Sequence, residues 1–287
     1  MSYGIPAVEP SAGVPVCPRH PDRPSYVRCQ RCGRPACPEC QRAAAVGFQC
    51  IDCVNELKRS TPTPRSAYGG TLRSGRPVAT YLIIGLCVLV YALQWLIPGG
   101  VVESQLAFAS VFMEPQDFEP WRMLTSAFVH SQGFILHIGL NMYMLWIFGQ
   151  VLEPVLGRIR FLAVYLLSAI GGSVGFLLLT PFSPPVFVEG ASGAIFGLFG
   201  ALLVIQARRG GDTRQLWILI VINGVIGFVI PGIAWQAHLG GLVTGALSGA
   251  VMALTPRGPR QAVLQTAGMV IVAVLLVAVT ALRITAS

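Results

Sequence analysis

Seven apolar stretches, each near the length needed to cross a bilayer, fill residues 77–287 and leave the chain few ways to fold. Hydrocarbon offers no water to backbone N–H and C=O groups, so each stretch must satisfy its own hydrogen bonds as a helix. The stretches are 77–97, 124–152, 160–180, 190–207, 215–230, 236–254 and 263–282. The second is too long for a single span, so its first part, through Gly133, is expected to be loop or interfacial structure. Pro231-Gly232 breaks the run from Leu216 to Leu254, itself too long for one helix, into a hairpin pair. Composition agrees: 54% of residues are apolar and 11% charged, against about 25% charged in soluble domains. The expected class is an all-α membrane protein.

The formal charge of +8 could point to nucleic acid, but its distribution argues for membrane orientation instead. Lys58, Arg59, Arg65, Arg73 and Arg76 precede the first span. Arg158 and Arg160 lie between spans two and three, Arg208, Arg209 and Arg214 between four and five, and Arg257 and Arg260 between six and seven. All these segments fall on one side, which should be the cytoplasm. Glu103, Glu114, Asp117, Glu119 and Glu189 fall on the other, with Arg122 the main positive exception. The expectation is a multi-pass plasma-membrane protein with its N-terminus inside and its C-terminus outside. Residues 1–16 lack the apolar run of a signal peptide and are expected to be disordered. Residues 55–76, rich in Ser, Thr, Pro, Gly and Arg, read as a flexible basic linker.

Seven of the eight cysteines precede the first span. They form the pairs Cys17-x-x-His20, Cys29-x-x-Cys32, Cys37-x-x-Cys40 and Cys50-x-x-Cys53. A two-residue gap aims both side chains of a pair at one ion, and eight ligands suffice for two tetrahedral zinc ions. A disulfide framework is the competing reading, disfavoured because the segment is expected in the cytoplasm, where thiols stay reduced. Residues 17–54 are thus expected to form a small two-zinc module. Spacing leaves the pairing open; interleaved pairing would resemble the cross-braced B-box and RING-like fingers. The module's expected role is that of a stable cytoplasmic knob for docking a protein partner or for self-association. Cys87, inside the first span, reads as a small apolar residue.

Polar residues within spans are costly and often functional. Ser192 sits in Gly190-Ala191-Ser192-Gly193, opening the fourth span, and His238 in Ala237-His238-Leu239-Gly240-Gly241, opening the sixth. His137 and Asn141 share one face of the second at i and i+4. Taken singly, each has a structural explanation in helix packing. With the N-terminus inside, however, spans two, four and six run in the same direction and bring all of these groups to a similar depth. Gly193, Gly197 and Gly200 on span four, and Ala237, Gly241, Gly245 and Gly249 on span six, would let the two helices approach closely. At hydrogen-bonding distance His238 would act as general base on the Ser192 hydroxyl and later protonate the leaving amine. Candidate oxyanion donors are the Ser192 backbone N–H, the His137 imidazole and the Asn141 amide. No carboxylate falls at the same depth to orient His238, so a dyad is expected. His130, Ser131 and Gln132, just before span two, would suit a wet cavity opening outward.

In this order, Trp121-Arg122, His137-x-x-x-Asn141, Gly190-x-Ser192-Gly193 and Ala237-His238-x-x-Gly241 resemble the rhomboid family of intramembrane serine proteases over residues 77–255. The resemblance implies a six-helix catalytic core, to which residues 256–287 would add a seventh transmembrane helix. It implies Ser192 as nucleophile, His238 as base, His137 and Asn141 as oxyanion partners, and no cofactor for catalysis. It places Phe196, where the family often has tyrosine, against the catalytic histidine; a phenyl ring stacks equally well but has no hydroxyl. The interval from His130 to His137 is longer than usual in the family. Implied substrates are transmembrane proteins cut near the outer face. The alternatives are a non-catalytic relative that binds membrane segments, a membrane-tethered finger, and a transporter; the last is disfavoured by the lack of acidic residues in the spans.

Overall fold

The computed structural model describes residues 13–61, 66–70, 76–182, 184–230 and 232–286 and divides into two compact units, 1–63 and 64–287. Most of the stretch expected to be disordered, 1–16, lies outside the described residues. Its end is paired: Val16 opens strand β1 (Val16–Cys17), and the Pro15 carbonyl accepts the Ser25 N–H at 2.7 Å.

In the first unit β1 pairs with β2 (His20–Pro24), and β3 (Gln41–Ala43) pairs with β4 (Phe48–Cys50), both antiparallel. Helix α1 (Ile51–Ser60) follows. The buried set is Cys17, Cys29, Ala36, Cys37, Cys40, Cys50 and Cys53. Such a core contains almost no hydrocarbon beyond its thiols, too little to offset the entropy of ordering the chain. Folding energy has to come from what the thiols bind.

The second unit is helical. Helix α2 (Val78–Leu96) leads through α3 (Val101–Leu106), strand β5 (Phe108–Ala109) and α4 (Arg122–Thr125) to α5 (Ile135–Leu156). Then come α6 (Arg158–Leu179), β6 (Phe187–Val188), α7 (Ser192–Arg208), α8 (Arg214–Val229), α9 (Trp235–Leu254) and α10 (Gln261–Thr285). Among the described residues, five helices (α2, α5, α6, α9 and α10) are long and apolar enough to cross a membrane, and α7 and α8 are shorter apolar helices. The long helix of the second run begins only at Ile135, after the end of α4 and a 3-10 turn at Ser126–Phe128.

Helices α6, α7 and α9 form the centre, and glycine decides how near they come. A Cβ built on Gly241 or Gly245 of α9 would overlap the backbone of Gly193 or Gly197 of α7, and one on Gly249 would stand 2.7 Å from Ala201 Cα. On α6, a Cβ at Gly175 would stand 2.6 Å from Gly240 Cα. Backbone-to-backbone contact of this kind is how helices associate where lipid removes the hydrophobic drive.

Two polar anchors tie the helix ends. Glu153, buried near the end of α5, accepts the Ala79 and Thr80 N–H groups at 3.0 and 2.9 Å and the Thr80 hydroxyl at 2.8 Å. A carboxylate at the start of α2 satisfies N–H groups that the helix itself leaves free. Residues 66–70, within the expected flexible linker, are packed. The Tyr68 hydroxyl accepts from Arg209 Nε at 3.1 Å, Gln261 Nε2 donates to Ala67 O at 2.8 Å, and Ser66 Oγ donates to Val155 O. The linker's start also differs from expectation, since α1 runs to Ser60; residues 62–65 and 71–75 lie outside the described residues.

Arg122 is buried at the start of α4. It donates to Ser104 O at 2.6 Å, Ala107 O at 3.1 Å and Glu119, and its guanidinium lies 3.9 Å from the centre of the Phe112 ring. It is internally compensated rather than a free surface charge, which removes its apparent conflict with the charge asymmetry of the loops.

Candidate active site

Ser192 is the first residue of α7, and His238 lies in the first turn of α9. The glycine contacts between these helices bring His238 Nε2 to 2.9 Å from Ser192 Oγ. One helical turn after the serine, Phe196 lies on the imidazole with ring centroids 4.2 Å apart and planes 8° from parallel. His238 Nδ1 is buried with no hydrogen-bond partner among the described residues. It faces α8, where a Cβ on Gly227 would stand 3.3 Å away.

His137, in the first turn of α5, reaches the same place through Gly190. A Cβ built on Gly190 would stand 2.7 Å from His137 Nε2, and Gly190 has φ +118°, so both space and backbone demand glycine there. The Ser131 N–H donates to His137 Nδ1 at 3.2 Å. In the neutral ring that leaves the proton on Nε2, the nitrogen beside the Gly190 turn. Asn141 is buried one turn further along, and its Nδ2 donates to His137 O at 2.7 Å. Ser192, His238 and Phe196 are therefore in direct contact, His137 flanks the turn that leads into the serine, and Asn141 is bonded to its own helix.

His130 departs from the expectation of a wet cavity mouth. It is fully buried, its ring centroid 5.4 Å from that of His137 and its Nε2 accepting the Ala191 N–H at 3.5 Å. Its place in a polar loop before a span hides this role in the sequence.

The rhomboid domain family matches residues 117–255, the segment that carries all of these groups. Rhomboid protease GlpG of Yersinia pestis is 30% identical over 204 residues, which cover 68% of this chain and 69% of that protein. The chain belongs to the rhomboid family. Rhomboid protease GluP of Bacillus subtilis is 33% identical over 202 residues, and RHOMBOID-like protein 1 of Arabidopsis thaliana is 33% identical over 167 residues. The matches span 38% and 41% of those two longer relatives. The apolar helices of this rhomboid, five long and two shorter among the described residues, make it a multi-pass membrane protein.

The rhomboid's first unit carries two Cys/His clusters that could each hold a metal ion. Cys17, His20, Cys37 and Cys40 form one, and Cys29, Cys32, Cys50 and Cys53 the other, with the donor atoms of each within 4.8 Å of one another. The pairs interleave, first with third and second with fourth. His20 Nδ1 faces the sulfurs of Cys17, Cys37 and Cys40 at 3.9, 3.2 and 3.4 Å, and Cys32 Sγ lies 3.7 Å from Cys50 Sγ. Donors about 3.8 Å apart are what a tetrahedral ion with metal–sulfur bonds of about 2.3 Å requires. Cys50 N and Arg34 Nε donate to Cys29 Sγ at 3.1 Å and Cys32 Sγ at 3.3 Å. Backbone hydrogen bonding from Cys37 lowers the pKa of the Cys17 thiol to about 6, while burial raises that of Cys40 in the same cluster to about 11.

Proposed function

We propose that this rhomboid is a serine endopeptidase that cuts transmembrane proteins within the bilayer, near its outer face. The observation that carries the reading is the 2.9 Å contact between Ser192 Oγ and His238 Nε2. His238 Nε2 takes the hydroxyl proton as Ser192 Oγ attacks the scissile carbonyl. It then gives that proton to the departing amine, leaving an acyl-enzyme that water hydrolyses by the reverse transfer. The Ser192 N–H at the free start of α7, His137 Nε2–H and the second Asn141 amide proton are the donors assigned to the oxyanion. Phe196 fixes the plane of His238, a task that a third, acidic residue performs in a triad. The short α7, 17 residues or about 25 Å, favours a serine below one membrane surface rather than at it.

Loop arginines support an N-terminus in the cytoplasm and a C-terminus outside, and the plasma membrane is the assigned site of action. The two clusters in the first unit are assigned zinc. Four thiolates, or three thiolates with one imidazole, suit a closed structural site, and the catalytic scheme uses no metal. The module's role is docking a cytoplasmic protein partner. The reading is tested by labelling Ser192 with a fluorophosphonate in native membranes and comparing shed ectodomains between wild type and Ser192→Ala. Labelling and shedding that vanish together in the variant are expected. Identical profiles in both would favour the non-catalytic, segment-binding alternative.

A further inference from the structure

A buried glutamine on α2 connects to the histidines beside the serine. Gln94, 3% exposed in the last turn of that helix, accepts the His130 N–H on Oε1 at 3.1 Å. Its Nε2 donates to His130 O at 2.9 Å and to Glu103 Oε1 at 2.7 Å. Both amide protons and one oxygen lone pair are used, so the side chain is fixed at both ends. Glu103, on α3, accepts only hydrogen bonds when ionised and so directs the nitrogen end of the amide toward itself. An amide buried in an otherwise apolar helix is costly unless it is paired in this way.

The clamped backbone controls two contacts at the active site. The next residue, Ser131, supplies the N–H that occupies His137 Nδ1 at 3.2 Å, leaving the proton on the nitrogen beside Gly190. The clamped residue itself receives the Ala191 N–H, immediately before Ser192, on its Nε2 at 3.5 Å. A lone loop between α4 and α5 would be free to turn its peptide planes; Gln94 pins the one that matters.

We infer that Gln94 is a positioning residue for the oxyanion side of the site: by holding both backbone groups of His130 it orients the Ser131 N–H, which sets His137 as an Nε2–H donor. The inference rests on the protease reading for its kinetic consequence, but not for its tautomer consequence. The chain has four histidines, so 15N-histidine NMR of the full chain in proteoliposomes, with His137 assigned by His137→Asn, reads the tautomer directly. Wild type is expected to show His137 protonated at Nε2. Gln94→Met, which keeps volume but loses all three bonds, is expected to mix the tautomers and lower kcat about 10- to 100-fold with KM unchanged. Gln94→Glu keeps the acceptor for the His130 N–H but turns a second acceptor toward His130 O and Glu103, so it should not restore turnover above Gln94→Met. An Nδ1–H tautomer in wild type, or an unchanged tautomer and kcat in folded Gln94→Met, overturns the inference. Absent turnover in wild type would instead count against the protease reading, with the tautomer result still deciding the role of Gln94.

Discussion

Phe196 covers one face of the His238 imidazole almost in parallel, 8° between planes at 4.2 Å. With no hydrogen bond on Nδ1 among the described residues, the His238 ring is held by its Nε2 contact to Ser192 and by packing, in which Phe196 is the stacked ring. Phe196→Ala should therefore lower kcat/KM about 5- to 10-fold, the equivalent of about 1 kcal/mol of ring contact. Phe196→Tyr should stay near wild type, since the ring is kept. Cleavage kinetics of a transmembrane substrate in proteoliposomes would show whether the two variants separate.

The α7–α9 seam offers a harsher perturbation. Gly245→Ala would drive a methyl group into the Gly197 backbone, and the helices would have to part to admit it. Overpacking of this kind costs about 1–3 kcal/mol. Because Ser192 and His238 belong to the two helices being parted, activity should fall much further than stability, by about 100-fold. Leu247→Ala, on the exposed face of α9, should change neither. Thermal unfolding measured alongside turnover decides; equal losses in both variants would mean that the seam is not special.

What could be read from the sequence here was whatever repeats. Small residues four apart on α7 and α9, and cysteines three apart in pairs, are periodic because one helix face or one ion has to be reached repeatedly. Gln94, Glu103, Glu153 and His130 show no such period. Gln94, Glu153 and His130 are bonded to backbone groups far away in sequence, as in the link of Glu153 to Ala79 and Thr80, and Glu103 to the Gln94 side chain. The packing of residues 66–70 was hidden for a related reason: a polar, glycine-rich composition describes a linker well, and one tyrosine and two carbonyls suffice to dock it.

Glu153 yields a stability prediction distinct from catalysis. Glu153→Ala would strand two N–H groups and a hydroxyl in a buried setting. The expected cost is about 2–3 kcal/mol, seen as a lower midpoint of thermal unfolding in detergent. Glu153→Gln keeps an acceptor for one of the N–H groups and should lose less. A midpoint for Glu153→Ala within error of wild type would mean that water replaces the carboxylate at the start of α2.

The first unit predicts its own dependence on metal. Its buried residues are mostly ligands, so removing the ions removes most of what opposes chain entropy. Elemental analysis of the purified full chain should find two zinc ions per chain, one for each cluster. A chelator should release both, and amide exchange in residues 16–53 should rise steeply, while exchange in α7 and α9 stays slow. Cys29→Ser should lose one ion and Cys17→Ser the other, because the clusters share no ligand. If either single substitution released both ions at once, the clusters would be coupled through the strands between them. Retained protection of residues 16–53 after complete metal loss would show that the thiol core folds without its ions.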